Sequence, residues 1–463
     1  MGEEAAAFDA RALIRSRQFR VMLVFAALIG LGVSAVSWGY LELVHYLQNW
    51  VYETLPKRLG YTALTPGDLG HSTIPWWYPL PWLALAGLLT AIAITRFPGR
   101  GGHVPADGLA TGGSPTRPID LPGVVLAAFA TLGLGLVLGP EAPLLALGMG
   151  LGILSIKLIR KDTPDQALGL MAAAGAFAAL SAIFGSPVIG AVIIIEATGL
   201  GGAILPVVLL PGLMAAGIGS LVFIGLGSWS GLSTSAWALS PFPLPPFGGP
   251  AWGNFGWTVV LAVVTAVVVF AIMELARWSK RLVETRFFLL TIAAGLAVGG
   301  LAIAYAQATG QSADAVLFSG EPAFGTLFAT GPTLAISTLG LLIVFKGLAW
   351  SISLGNFRGG PTFPAIFLGA VAGLLCAHLP GYAETPGVAA LIGATCVSVL
   401  RLPLSSVVIA LLLASKAGLA VAPLVIVAVV VAYIASEALT AYVDARVGAR
   451  PTEDEGTTEP VTA

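Results

Sequence analysis

The chain has 463 residues, of which 57% are hydrophobic and 10% are charged, and its formal net charge at pH 7 is -1. Soluble domains carry about 25% charged residues, so this composition excludes a soluble protein and predicts an integral membrane protein in the lipid bilayer. No basic stripe interleaves with aromatic residues, which argues against a nucleic-acid partner. Cys376 and Cys396 lie in apolar text, where cysteine behaves as a small hydrophobic residue, and they imply neither a metal site nor a disulfide.

The chain begins with a short polar segment, residues 1–17, and an apolar run follows near Val21. Four arginines precede or open that run: Arg11, Arg15, Arg17 and Arg20. Positive charge accumulates on the cytoplasmic side of a membrane protein, and no signal-peptide cleavage site is evident. We therefore predict a cytoplasmic N-terminal segment at 1–17 and a first membrane half over 18–226.

An uncharged stretch rich in Ser, Pro, Gly and Trp occupies residues 227–253 and predicts an external linker. The second membrane half follows over 254–447, with a second predicted cytoplasmic cluster after its first apolar span. The basic members of this cluster are Arg277, Lys280, Arg281 and Arg286. The remaining residues, 448–463, are polar and predict a disordered tail.

Apolar runs of roughly 17 to 25 residues, each long enough to cross a hydrocarbon core of about 30 Å, recur through both halves. Many of them are interrupted by glycine or proline, of which the chain has 58 and 31. These patterns predict an all-α integral membrane protein with many broken, partly spanning helices.

A repeat links the two halves. The motif G-P-x-x-P occurs at Gly139–Pro143 and again at Gly360–Pro364, and glycines follow both copies at the same offsets. A second sequence match relates the residues that begin at Pro187 to those that begin at Pro403. With a cytoplasmic start and an external linker, the second half crosses the membrane in the opposite sense, which is the inverted-repeat design of many transporters.

The repeated motif favours a helix start inside the membrane. Proline is tolerated in the first helical turn, and the preceding glycine lets backbone approach closely. A helix start carries free N–H groups and about half a positive charge, so two converging starts favour an anion over a cation. Glu141 lies in the first turn of one such helix, and a carboxylate at this depth is functional by default. We expect it to act as a gate, with a carboxylate that only caps its own helix as the alternative.

These motifs resemble those of the CLC family of chloride channels and chloride/proton antiporters. Gly139–Pro143 is similar to the family pattern G-[KR]-E-G-P, with Pro140 at the basic position, Ala142 at the second glycine and Glu141 as the gating glutamate. Gly360–Pro364 is similar to G-x-F-x-P, and Gly101–Pro105 to G-S-G-I-P, with Gly102 in place of the serine that ligates the central anion.

The resemblance implies a CLC-like fold, a homodimer with one pore per subunit, and a tyrosine that completes the central site. Tyr442 fits that tyrosine by its distance from the last helices, with Tyr433 as the alternative; His103 could supply a donor in place of the missing serine. The implied anion-binding residues are Gly101, Gly102, His103, Val104, Pro105, Gly139, Pro140, Ala142, Gly360, Pro361, Thr362, Phe363 and Tyr442.

A second glutamate passes protons in the antiporters of this family. The alignment on Phe184–Pro187 places Ala197 at that position, and Glu196 is one residue away. One residue turns a helical side chain by about 100°, so this register favours a passive channel over a proton-coupled antiporter.

The predicted function is therefore transport of chloride or a similar small anion, in a multi-pass protein of the plasma membrane, with no cofactor. A channel gated by Glu141 is favoured. The alternatives are a chloride/proton antiporter using Glu141 and Glu196, and a fluoride-selective transporter. A membrane enzyme is a distant alternative, because the sequence lacks clustered histidine and acidic ligands. Lys346 and Arg358 bracket Gly347–Phe357 before the second motif and are expected to snorkel at helix ends, with a raised positive potential at a cytoplasmic or external mouth as the alternative.

Overall fold

The computed structural model describes residues 10–108, 115–159, 161–230 and 239–448. Parts of the predicted N-terminal segment (1–9), linker (231–238) and C-terminal tail (449–463) lie outside these described residues. The domain boundaries predicted above therefore stay predictions.

The described residues fold into α-helices joined by turns, short 3-10 segments and longer irregular stretches such as 59–78 and 239–251. The helices of the first half are α1 Ala10–Arg15, α2 Arg17–Asn49, α3 Leu55–Arg58, α4 Pro79–Arg96, α5 Leu121–Gly133, α6 Glu141–Ile159, α7 Asp165–Ile183, α8 Pro187–Thr198 and α9 Leu205–Ser230. Those of the second half are α10 Trp252–Glu284, α11 Phe287–Thr309, α12 Phe324–Thr330, α13 Ile336–Asn356, α14 Thr362–Cys376, α15 Glu384–Leu400, α16 Pro403–Leu413 and α17 Ala422–Gly448.

Many of these helices match the membrane in length. Within the described ranges, nine helical segments are long and apolar enough to cross a bilayer, while the helices α8, α14, α15 and α16 are shorter apolar segments. The mixture confirms an all-α membrane fold with partly spanning helices. Because lipid offers no hydrogen bonds, every non-helical stretch between them needs partners within the protein.

The order of helix lengths repeats between the halves. The helices α6, α7, α8 and α9 have 19, 19, 12 and 26 residues. Their counterparts α14, α15, α16 and α17 have 15, 17, 11 and 27 residues. Each set begins at the third residue of one copy of the G-P-x-x-P motif, Glu141 in α6 and Thr362 in α14, so the sequence repeat corresponds to a structural repeat.

Glycines let the first two helices of each set pack backbone to backbone. A Cβ atom on Gly148 of α6 would collide with the carbonyl of Gly175 in α7, and the reverse holds for Gly175. In the second half, Gly373 of α14 faces Gly387 and Val388 of α15 in the same way. Small residues at helix crossings replace the hydrophobic driving force that lipid removes.

The link between α5 and α6 is buried and non-helical, and its backbone groups find side-chain partners. The Tyr52 hydroxyl donates to the carbonyl of Leu134 at 2.7 Å, and the Gln48 amide donates to the carbonyl of Leu132 at 2.8 Å. The N–H of Val137 donates to the Ser353 hydroxyl at 3.2 Å, and these bonds allow irregular backbone at membrane depth.

A buried lysine in the second half also supplies hydrogen bonds to irregular backbone. Lys346 on α13 is fully buried, so the expectation that it snorkels to a membrane surface is wrong. Its ammonium donates to the carbonyls of Ala315, Val316, Leu317 and Phe318 at 2.8 to 3.3 Å. It also lies 4.6 Å from the centre of the Phe367 ring. The charge is held because four carbonyls replace its hydration shell.

Substitution Lys346→Met is expected to destabilise the protein by about 3 kcal/mol or more, because each buried carbonyl left without a donor costs about 1 kcal/mol or more. The melting temperature of the purified protein in detergent measures this effect. Lys157→Met is the matched control, because Lys157 is exposed on α6, and surface changes stay within about 0.5 kcal/mol. Equal melting temperatures for the two variants would contradict the structural role of Lys346.

Candidate anion site

The two copies of the repeated motif meet at the centre of the molecule. The N–H of Gly139 donates to the carbonyl of Gly360 at 2.7 Å, and the N–H of Gly360 donates to the carbonyl of Gly139 at 2.6 Å. This reciprocal pair is an antiparallel β-bridge, the arrangement that a two-fold relation between the halves produces. The first residues of α6 and α14 follow on either side, so two helix N-termini converge here.

The side chain of Glu141 fills the space between these helix starts. It is 2% exposed, and its Oε1 accepts a hydrogen bond from the N–H of Thr362, the first residue of α14. Its Oε2 has no hydrogen-bond partner among the described residues. The gate residue predicted from one half thus places its carboxylate on the helix N-terminus of the other half, where the helix dipole favours negative charge.

Both bridging glycines are required by this contact. A Cβ atom on Gly360 would overlap the carboxyl group of Glu141, and one on Gly139 would overlap its Oε2. Pro140 and Pro361 follow the glycines and are buried. Phe363 is fully buried and stacks on Phe184, with ring centres 5.9 Å apart, which fixes the first turn of α14 beside the start of α8.

A cavity of about 350 Å³ adjoins this centre. Two of the three predicted motifs line it, through the turn at Gly101, Gly102 and His103 and the start of α6 at Ala142 and Pro143. The third motif, Gly360–Pro364, does not line the cavity itself, but Gly359 directly before it does. The cavity therefore borders on direct chain neighbours of both Glu141 and Gly360.

The first motif has a different local structure from the other two. Gly101 and Gly102 have φ of 72° and 91°, a region that favours glycine, and Pro105 begins a three-residue 3-10 turn rather than a long helix. The Nε2 atom of His103 lies 2.6 Å from the carbonyl oxygen of Gly108, so that nitrogen carries the proton. In a neutral ring the remaining nitrogen is an acceptor, and His103 can donate to an anion only when it is protonated. Val104 is half-buried.

Arg358 is a cavity residue that the sequence interpretation misjudged. It was expected to snorkel, but only 7% of it is exposed, and it lines the cavity. Its backbone N–H donates to the Thr131 hydroxyl at 3.4 Å. Its position beside the second G-P-x-x-P motif was the signal that could have identified it.

Glu196 occupies a site of its own. Its carboxylate accepts hydrogen bonds from the N–H groups of Leu404 and Ser405, both at 2.7 Å, and from the Ser405 hydroxyl at 2.6 Å. These groups belong to the first turn of α16, so Glu196 on α8 caps the equivalent helix of the other half. The interaction repeats the relation of Glu141 to α14 and satisfies three donors.

Tyr442 lies apart from the motifs. Its side chain is 56% exposed near the end of α17, and its ring packs under the guanidinium of Arg446 at 4.5 Å. It does not line the cavity, so the structure does not bring it to Glu141. The alternative, Tyr433, is half-buried on the same helix.

Comparison with known proteins agrees with this architecture. The profile of the family described as "Voltage gated chloride channel" matches residues 83–437, which is well over half of the chain. The chain therefore belongs to this family, the CLC family that its motifs resemble. It is a multi-pass membrane protein of CLC-type anion transport.

The individual relatives have low sequence identity to this chain. "Putative ion-transport protein YfeO" of Salmonella paratyphi A is 26% identical over 371 residues, which are 78% of this chain and 81% of the relative. The protein of the same name from Salmonella typhimurium gives the same figures.

Two solved structures share the fold. A "slow cyanobacterial Cl-/H+ antiporter" superposes with a TM-score of 0.71 at 19% identity, covering 93% of this chain and 98% of that one. A "CLC-type fluoride/proton antiporter" gives 0.65 at 17% identity, covering 90% and 96%. At these identities the likeness concerns the fold, and it confirms the predicted CLC-like inverted repeat.

Substitution Gly360→Ala is expected to destabilise the protein by about 1–3 kcal/mol, because the added Cβ forces the Glu141 carboxyl group out of its place. Thermal unfolding in detergent measures the change. In Gly340→Ala the new Cβ meets nothing within 4 Å, and helix propensity alone predicts a gain of about 0.5–1 kcal/mol. Changes of the same sign and size in both variants would contradict close packing at the bridge.

Proposed function

We propose that this protein carries chloride or a similar small monovalent anion across the membrane and that Glu141 gates the path. The observation that supports this proposal is the position of the Glu141 carboxylate. It lies at the N-terminus of α14, against the bridging residues Gly139 and Gly360. A carboxylate oxygen there occupies the position proposed for the transported anion, because backbone N–H groups and a helix dipole bind both.

The gate works by competition. While it is ionised, the carboxylate holds the donor of Thr362 and excludes another anion by charge repulsion. When Glu141 takes up a proton, its negative charge disappears and an anion can replace it at the helix start. Flux then rises as the pH falls.

A cation is a poor fit for the same path. Cation pores present backbone carbonyls or acidic side-chain rings to the ion, whereas this centre presents helix N-termini and the adjoining cavity contains the buried guanidinium of Arg358. The local field therefore favours anions.

We favour passive conduction over proton exchange. The carboxylate of Glu196 is engaged by three donors of α16, and an internal proton carrier needs a carboxylate that alternates between protonated and ionised states. Exchange of the anion for protons is the second candidate, because the two solved structures described above are those of proton antiporters. By the positive-inside rule we further propose that the N-terminus is cytoplasmic, in a homodimer of the plasma membrane.

Substitution Glu141→Gln tests the gate. Without the competing charge, chloride efflux from proteoliposomes at neutral pH is expected to rise about tenfold, which corresponds to about 1.4 kcal/mol, and to lose its dependence on pH. Glu437→Gln, which alters an exposed glutamate paired with Arg401, is the control and keeps the wild-type pH profile. Comparing chloride, nitrate and fluoride gives the preference among anions. Absence of anion flux from the folded wild-type protein would refute the proposal.

Reversal potentials in a proton gradient separate conduction from exchange. We expect the wild type to follow the chloride Nernst potential, and Glu196→Gln to do the same with a lower melting temperature, because losing a helix cap costs about 1 kcal/mol. A reversal potential that shifts with the proton gradient in the wild type and returns to the chloride value in Glu196→Gln would favour the antiporter.

A further inference from the structure

Arg358 lies inside the protein and forms no ion pair with the described residues. It is 7% exposed, and none of their five ion pairs includes it. An ionised group removed from water costs several kcal/mol unless it is paired, so this position calls for an anion.

The hydrogen bonds of the guanidinium leave one edge unused. Nη1 donates to the carbonyl of Phe357 at 3.1 Å, and Nη2 reaches the carbonyl of Arg100 at 3.5 Å, the limit of a hydrogen bond. Nε is buried and has no hydrogen-bond partner among the described residues. A guanidinium offers five donors in a rigid fork, and the Nε–H donor of this one is unused.

The two halves hold this side chain in place from both ends. Its backbone precedes the Gly139–Gly360 bridge by two residues, while its aliphatic stem lies over Gly101, where an added Cβ would come within 3.4 Å of the Arg358 Cγ. The stem is thereby fixed against the first motif, and Arg358 lines the cavity of about 350 Å³ together with Ala142 at the start of α6.

Other charges at the cavity are already neutralised. Arg117 pairs with Asp120 at 3.0 Å, and the Arg117 side chain is 71% exposed. Asp107, on the turn after the first motif, lies outside the cavity lining and acts on Arg358 electrostatically, but its carboxylate is paired with Lys280 of α10 at 2.8 Å. Arg358 is thus the buried, unpaired positive charge on the approach to Glu141 within the described part of the chain.

We infer that Arg358 is an anion-binding residue that holds the transported ion in the cavity next to the gate, with the unpartnered Nε–H edge of its guanidinium as the ligand. This inference rests on the proposed function for the identity of the ion, a small monovalent anion. A halide takes one or two donors of this edge, and a planar oxyanion such as nitrate takes two. Binding at Arg358 raises the local concentration of the anion beside Glu141. Transport then reaches half of its maximal rate at a lower anion concentration in solution.

Substitution Arg358→Met tests the assignment, because methionine keeps an apolar stem over Gly101 and removes the charge. In proteoliposomes, the chloride concentration for half-maximal flux is expected to rise about tenfold, as loss of a charge-assisted hydrogen bond predicts, while the maximal rate stays within about twofold. Arg358→Lys, which restores the charge without the fork, recovers part of the affinity. Arg281→Gln is the matched control, because Arg281 is exposed on α10 and does not line the cavity, and it leaves half-saturation within about twofold of the wild type.

A binding measurement makes the outcome independent of transport. Chloride is expected to raise the melting temperature of the wild-type protein in detergent, and Arg358→Met abolishes most of that shift. If the wild type carries no anion but shows the shift and loses it in Arg358→Met, the proposed function falls and the binding residue stands. Half-saturation or a chloride shift that is unchanged in Arg358→Met overturns the inference. Arg358→Gln replaces the methionine variant if the latter does not fold.

Discussion

The reciprocal backbone pair between Gly139 and Gly360 is the interaction on which the rest of the site depends. Two non-helical segments must pass through the interior of a membrane protein, where an unsatisfied backbone group costs several kcal/mol. By pairing with each other they satisfy one another's polar groups. The same pairing sets the starts of α6 and α14 side by side, so the first-turn carboxylate of one helix reaches the N-terminus of the other.

The ionisable side chains of Glu141, Glu196 and Lys346 follow one electrostatic rule across the two halves. Carboxylates lie at helix N-termini supplied by the opposite half, as Glu141 does at α14 and Glu196 does at α16. The ammonium of Lys346 lies among carbonyls. Each charge meets backbone dipoles of opposite sign. Arg358 departs from the rule because its carbonyl partners leave Nε unpaired, and this departure distinguishes a residue with a free ligand position from residues that hold the fold.

Several features of the site could be predicted because they are local. Proline and glycine mark a helix start through their own backbone preferences, and the repeated motif therefore indicated where α6 and α14 begin. A functional role for Glu141 was expected from the cost of a carboxylate in lipid. The partner of that carboxylate could be expected only in outline, since the repeat predicted convergence of the two starts but not which donor of α14 the oxygen would take.

Composition, hydrophobic run lengths and the repeated motif by themselves determined that this chain is a polytopic helical protein with two related halves and a carboxylate at a buried helix start. Tertiary structure alone decided which charges are buried and what they touch. Arg358 meets a carbonyl 258 positions away and Glu196 meets a helix 208 positions away, while Tyr442 remains exposed. The physical reason is that desolvation and hydrogen bonding depend on neighbours in space, and helical periodicity in a lipid-soluble sequence does not specify which helix faces which.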